Sequence, residues 1–120
     1  MHELSIAQDI LDIVFTNVPP DDYEDVTKIK VKIGEISGVI PESLEFCFNA
    51  ISAETQLSNA VLVIEKIPFI LKCNSCDKTS TNEMGIRICP DCSGSDTTVI
   101  SGTELEVTEV ELKTHQEETA

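Results

Sequence analysis

Apolar residues recur at helical spacing from the start of the chain. Ala7, Ile10, Val14 and Val18 form one stripe, which Ile6 and Ile13 widen. Ser5 and Gln8 are spaced as a capping box, so a first helix is expected over about 5–17, with Ser5 as N-cap and Pro19-Pro20 as the stop. The acidic run Asp21-Asp22-Tyr23-Glu24-Asp25 reads as a solvated loop. The period then changes from helical to alternating. Ile29, Val31 and Ile33 interleave with Lys28, Lys30 and Lys32, a half-buried strand closed by Gly34.

Pro41 suits the first position of a second helix, where Leu44, Cys47, Phe48 and Ile51 would share the apolar face. Residues 60–67 are β-rich and stop at Pro68. A last strand is expected over 103–113. Leu105 and Val107 lie on one phase and Val110 and Leu112 on the other, which predicts a bulge at Thr108-Glu109. Glu104 and Glu106 would face the lysines of the first strand and bring the end of the chain back to the first sheet. The expected fold is therefore α+β: two helices on a small mixed sheet, with an inserted four-cysteine module resembling a zinc ribbon. Residues 1–68 plus 99–120 would form the α/β domain and residues 69–98 the module.

Composition narrows the function. The chain has 120 residues and a net charge of −14, with 41% hydrophobic residues, no Trp and one Tyr. That is enough apolar material for a core, but phosphate binding needs clustered Lys and Arg. Nucleic acid and anionic membrane surfaces are excluded as main partners on this ground. No apolar run approaches the length of a membrane span, and the start has no signal-peptide pattern, so a cytoplasmic protein with reduced thiols is expected.

Four of the five cysteines carry the strongest chemical signal. Cys73, Cys76, Cys89 and Cys92 read C-x2-C-x12-C-x2-C, in a segment with three basic and four acidic side chains. Each pair supplies two corners of a tetrahedron, and four thiolates favour structural Zn2+. Iron in a rubredoxin-like site, two disulfides and a thiol redox pair are the rival readings. A closed four-thiolate set leaves no coordination position open for catalysis. Cys47 reads as a small buried thiol and His115 as a solvated side chain. No P-loop, nucleophile elbow or carboxylate–histidine constellation is present, so no enzyme is expected.

His2 has an unusual opportunity. With the helix starting at Ser5, residues 1–4 would be an arm on which the Met1 amine, the His2 amide and imidazole, and the Glu3 amide offer adjacent nitrogens. Planar nitrogen sets suit Ni2+ and Cu2+.

The start Met1-His2-Glu3-Leu4-Ser5, the segment from Ile33 to Val39 and the stretch from Ser43 to Phe48, with the double CxxC after them, resemble the HypA/HybF hydrogenase nickel-incorporation proteins. The resemblance spans essentially the whole chain. It implies a nickel metallochaperone that delivers Ni2+ to the hydrogenase large-subunit precursor with a HypB-type GTPase. By position, His2 would ligate nickel, with the amino terminus of Met1 and the amides of His2 and Glu3 as co-ligands. Cys73, Cys76, Cys89 and Cys92 match the family's zinc cysteines. Some members place His directly after a CxxC, whereas Asp77 and Ser93 stand there in this chain, and residues 69–98 contain no His. A His-based zinc switch is therefore not expected. An insertion on two strand exits would permit exchange of the module within a homodimer. The alternative is a zinc-ribbon protein–protein interaction module without nickel function.

Overall fold

A computed structural model describes residues 3–113. Helix α1 (Glu3–Asn17) is followed by a 3-10 turn (Pro20–Asp25), strand β1 (Val26–Gly34), helix α2 (Pro41–Ser52) and strand β2 (Val61–Ile67). Strands β3 (Ile70–Cys73), β4 (Thr79–Ser80), β5 (Thr97–Ser101) and β6 (Leu105–Leu112) complete the order. They form two three-stranded sheets, β2-β1-β6 and β4-β3-β5. The neighbours of β1 thus bracket the second sheet in sequence, and the fold is α+β with the cysteine segment inserted between β2 and β6.

Contacts divide the chain into two compact units. One comprises Met1–Val31, Val39–Ile64 and Val107–Ala120, and the other Lys32–Gly38 and Glu65–Glu106. In the first, α1 packs on α2. Ile6, Ala7, Ile10, Leu11 and Val14 of α1 are buried, as are Val26, Ile29 and Val31 of β1. On α2 the fully buried residues are Leu44, Phe48 and Ser52, each one turn beyond the last, while Cys47 and Ile51 are only half-buried at the edge of that stripe.

Helix α1 starts two residues before the expected N-cap. Glu3 in its first turn complements the helix dipole and Leu4 is a strong helix former, so both join the helix. Ser5 is helical, and Gln8 donates to Asp12 Oδ1 at 3.1 Å instead of completing a capping box. The acidic run is also more than a solvated loop. Pro19 has no amide to bond the Phe15 carbonyl one turn back. The Tyr23 hydroxyl donates to that carbonyl at 2.7 Å, and the Tyr23 and Phe15 rings meet edge to face, 4.8 Å apart.

The β1–β6 pairing brings the chain's end back as expected, with different contacts. Gly34 donates to the Glu104 carbonyl and Lys113 to that of Asp25. The alternation of β6 breaks at the expected place, where Thr108 and Glu109 are both exposed. As the last strand of its sheet, β6 has partly open faces, so its apolar alternation is loosely dictated. Lys30 pairs with Glu109 at 3.0 Å and Glu111 at 3.4 Å, not with Glu104 or Glu106. Glu104 is engaged elsewhere: its Oε1 accepts the Gly102 amide at 2.8 Å.

In the second unit, β3 pairs antiparallel with both neighbours. The β3–β5 pairing contains a bulge. Ser101 pairs with Ile70 and Val99 with Leu71, which leaves Ile100 as the extra residue, exposed on β5. Phe69 and Leu71 form the buried centre together with Cys73 and Cys89. Gly102, at φ +114°, lies against the Phe69 backbone, and Gly34 lies against the Gly102 carbonyl, leaving no room for a Cβ at either position.

Candidate metal centre

Both CxxC pairs fold into the same tight turn. The Cys73 amide donates to the Lys78 carbonyl and the Asp77 amide returns to the Cys73 carbonyl, both at 2.9 Å. The second turn repeats this with Cys89 to Gly94 at 2.9 Å and Ser93 to Cys89 at 2.8 Å. The residue after each second cysteine has a left-handed backbone, with φ of 61° at both Asp77 and Ser93. Asp tolerates that conformation better than most residues, because its short polar side chain bonds locally. Each turn also aims amides at sulfur. Cys76 and Ser75 amides bond the Cys73 sulfur, the Lys78 amide bonds Cys76, and the Gly94 amide bonds Cys92. A Cβ on Gly94 would stand 3.2 Å from Cys92 Sγ, so a side chain there would push on that sulfur by a few tenths of an ångström.

The two turns bring the four sulfurs within 4.8 Å of one another. Cys73 Sγ lies 3.5 Å from Cys92 Sγ, and Cys76 Sγ lies 3.6 Å from Cys89 Sγ. A disulfide would need about 2.05 Å. A tetrahedron with metal–sulfur bonds of about 2.3 Å has edges of about 3.8 Å. The spacing therefore fits a four-coordinate metal, and all five cysteines are free thiols. Cys73 and Cys89 are buried whereas Cys92 is exposed, which leaves one corner for metal entry.

Protonation agrees with a cation site. Amides from Cys76 and Ser75, with hydrogen bonds from Cys92 and Cys76 thiols, lower the Cys73 thiol to about 7 against the cost of burial. The Lys78 amide acts the same way on Cys76, but burial and hydrogen bonding with Cys73, Cys89 and Cys92 prevail and push it up to about 12. Cys92 is likewise raised: its bonds with Cys73 and Cys89 and its burial outweigh the Gly94 amide. One thiolate is thus prepared, and further ionisation beside it is opposed by like charge. A bound dication reverses that opposition, because coordinated thiols are deprotonated outright. The donor set fits Zn2+ in a closed structural site, and the soft sulfur donors rule out Mg2+ or Ca2+ as a match.

The residues expected to hold nickel are distributed differently. Met1 and His2 lie outside the described residues, as does His115. Glu3 and Leu4 are helical, so these two residues do not belong to the arm expected over residues 1–4. The Glu3 carboxylate accepts the Ile40 amide at 3.3 Å, a contact that sequence spacing could not reveal across so many residues. The left-handed backbone at Asp77 and Ser93 also escapes a reading of the sequence for ligands alone, although residues following CxxC in a tight turn are natural places to look.

Two CxxC turns with four converging thiols, the first beginning at the end of β3, define a metal-binding protein with a four-cysteine site. Comparison with known proteins makes the class specific. Residues 1–112 match the family described as hydrogenase/urease nickel incorporation, metallochaperone, hypA. The chain belongs to the HypA family. It is 37% identical over 113 residues to the hydrogenase maturation factor HypA of Geotalea uraniireducens, covering 94% of this chain and 100% of that one. Identity to the factor of the same name from Geobacter metallireducens is also 37% over 113 residues, with the same coverage. The solution structure of the Ni metallochaperone HypA from Helicobacter pylori shares the fold, with a TM-score of 0.65 at 20% identity, covering 94% of this chain and 98% of that one.

Proposed function

We propose that this chain is a nickel carrier that delivers Ni2+ to the precursor of the [NiFe]-hydrogenase large subunit in the cytoplasm, working with a HypB-type GTPase. His2 is the side-chain ligand, with the Met1 amine and the amides of His2 and Glu3 completing a nitrogen-rich set. Cys73, Cys76, Cys89 and Cys92 hold a structural Zn2+ that organises their loop. The observation that carries this reading is the family match over residues 1–112, which takes in both the Met1-His2-Glu3 start and both CxxC pairs.

The chemistry is transfer, not catalysis. A carrier must hold its cargo and still give it up, and ligands supplied by consecutive residues at a chain start exchange with little disturbance of a buried core. Protons compete for the imidazole, so nickel binding weakens as pH falls below about 6.5. The surplus of carboxylates favours a recipient with a basic face. The division of labour assigns nickel to residues 1–68 plus 99–120 and zinc to residues 69–98. It is a division by ligand, with bounds distinct from those of the compact units. A homodimer that exchanges the zinc module is compatible with its two strand exits.

The test is a nickel titration of zinc-loaded protein beginning at its native Met1, beside the His2→Ala variant. The expected result is about one nickel per chain, followed by calorimetry and visible absorption, and lost in the variant. Equal binding in both proteins defeats the site. No binding in either leaves a zinc-organised interaction module.

A further inference from the structure

The two CxxC turns are alike in their backbone bonds but differ at the residue that follows the first cysteine of each. In the second turn that residue is Pro90, which has neither an amide hydrogen nor a polar side chain to offer. In the first it is Asn74, and Asn74 is tied to the chain that leaves the second turn. Its backbone amide donates to the Asp96 carbonyl at 2.9 Å. Its side-chain Nδ2 donates to Asp96 Oδ1 at 3.2 Å and to Thr98 Oγ1 at 3.0 Å, and the Thr98 hydroxyl donates to Asn74 Oδ1 at 3.4 Å. Asp96 follows closely on Cys92, and Thr98 lies on β5 opposite Lys72 of β3. The Lys78–Asp91 pair also crosses between the turns, but at 3.8 Å and largely exposed it contributes little.

We infer that Asn74 is a positioning residue for the metal centre, its side chain clasping the first CxxC turn to the exit of the second. The inference rests on the zinc reading above. Each turn closes on itself through bonds between near neighbours in the chain. How the turns face one another depends on contacts made across the spacer between the two pairs. A metal that had to draw two independent turns together would bear the entropy of ordering them, and affinity would fall by that amount. The clasp carries part of that ordering in the fold itself. Asn74 meets one short segment through both its amide and its side chain, so the direction of the first turn is fixed together with its distance. Asn74 supplies no thiolate and acts only through the two turns that it holds.

The experiment uses the full chain and compares Asn74→Ala, Thr98→Val, Thr98→Ser and the double variant Asn74→Ala with Thr98→Val against the unsubstituted protein. Val matches Thr in shape and suits a strand, so Thr98→Val removes the hydroxyl and spares β5. Competition with a chromophoric chelator measures zinc affinity, absorption of the Co2+ form reports tetrahedral thiolate coordination, and exchange of the Asn74 amide by NMR follows the clasp. Thr98→Val should lower zinc affinity about fivefold, the factor given by a hydrogen bond of typical net strength, and Asn74→Ala by at least as much. Thr98→Ser should keep the parent affinity. The double variant should bind no more weakly than Asn74→Ala, because both substitutions remove the same bond. The cobalt band should keep its position throughout, since no ligand is lost. Unchanged zinc affinity in Asn74→Ala and Thr98→Val overturns the inference. So do additive losses in the double variant, a loss in Thr98→Ser equal to that in Thr98→Val, or a shifted cobalt band. Should Asn74→Ala fail to fold, Thr98→Val beside Thr98→Ser still decides. If the unsubstituted chain binds no zinc while Asn74 exchange depends on the Thr98 hydroxyl, the zinc reading has failed, the inference falls with it, and the clasp is a contact of the fold alone.

Discussion

The repeated left-handed residue in the two CxxC turns makes a quantitative prediction. Asp77 and Ser93 both sit at φ 61°, where a Cβ crowds the neighbouring carbonyl at a cost of about 1–2 kcal/mol. Glycine carries no such cost, but loses more conformational freedom on ordering, about 0.5–1 kcal/mol. Asp77→Gly or Ser93→Gly should therefore tighten zinc binding by about 0.5–1 kcal/mol, a factor of about two to five. A β-branched residue is a true outlier there, so Asp77→Val or Ser93→Val should weaken it by about 2 kcal/mol, roughly thirtyfold. The cost appears in metal affinity because the turns and the metal site form together. Competition with a chromophoric zinc chelator measures the affinity, and the thiolate-to-cobalt absorption of the Co2+ form verifies tetrahedral sulfur coordination. The two turns carry the same hydrogen bonds, so the two positions should respond alike. A Val variant that binds zinc as tightly as the parent, or a Gly variant that binds it more weakly, would refute the argument from backbone conformation.

Other predictions follow from the thiols and the glycines. Cys76 and Cys92 are raised and stay protonated at pH 8, while Cys73, near 7, is already mostly thiolate. Zinc uptake at pH 8 should thus release at least two protons, measured by calorimetry in buffers of different ionisation enthalpy; release of none contradicts the thiolate site. In the metal-free protein, alkylation of Cys73 should accelerate as pH rises through about 7, because its reactive thiolate exists above that value. Gly38 and Gly102 both have left-handed backbones, but a Cβ on Gly38 meets nothing within 4 Å, whereas Gly102 lies against Phe69. In denaturant titration, Gly38→Ala should cost about 1 kcal/mol, while Gly102→Ala should unfold the second unit.

Much of the framework is legible in the sequence because local rules and tertiary packing agree. Strong alternation on β1, Pro41 at the start of α2 and Pro19-Pro20 after α1 act within a few residues of themselves. The early start of α1 has a local reason too: Ser5 has the chemistry of a cap, but Glu3 and Leu4 are equally suited to the first turn. Contacts chosen across the chain are harder to read. The lysines of β1 have several glutamates on β6 within plausible register, and strand composition does not decide among them. In the folded sheet Lys30 reaches Glu109 and Glu111, a choice that the strand sequences do not make by themselves.

The sequence by itself pointed to a four-thiol metal group, since C-x2-C-x12-C-x2-C spacing limits what can bind, and to the family, through the Met1–Ser5 start and the segments 33–39 and 43–48 taken with those cysteines. Local hydrogen bonding inside each CxxC turn is short-range, so residue types at fixed offsets largely specify it. Tertiary structure alone decided how the two turns face one another, placing Cys73 against Cys92 and Cys76 against Cys89. It also put the bulge at Ile100 and carried the Glu3 carboxylate to the Ile40 amide. These depend on packing between segments distant in the chain, where many pairings are compatible with the same local pattern and only the burial of a common core selects one.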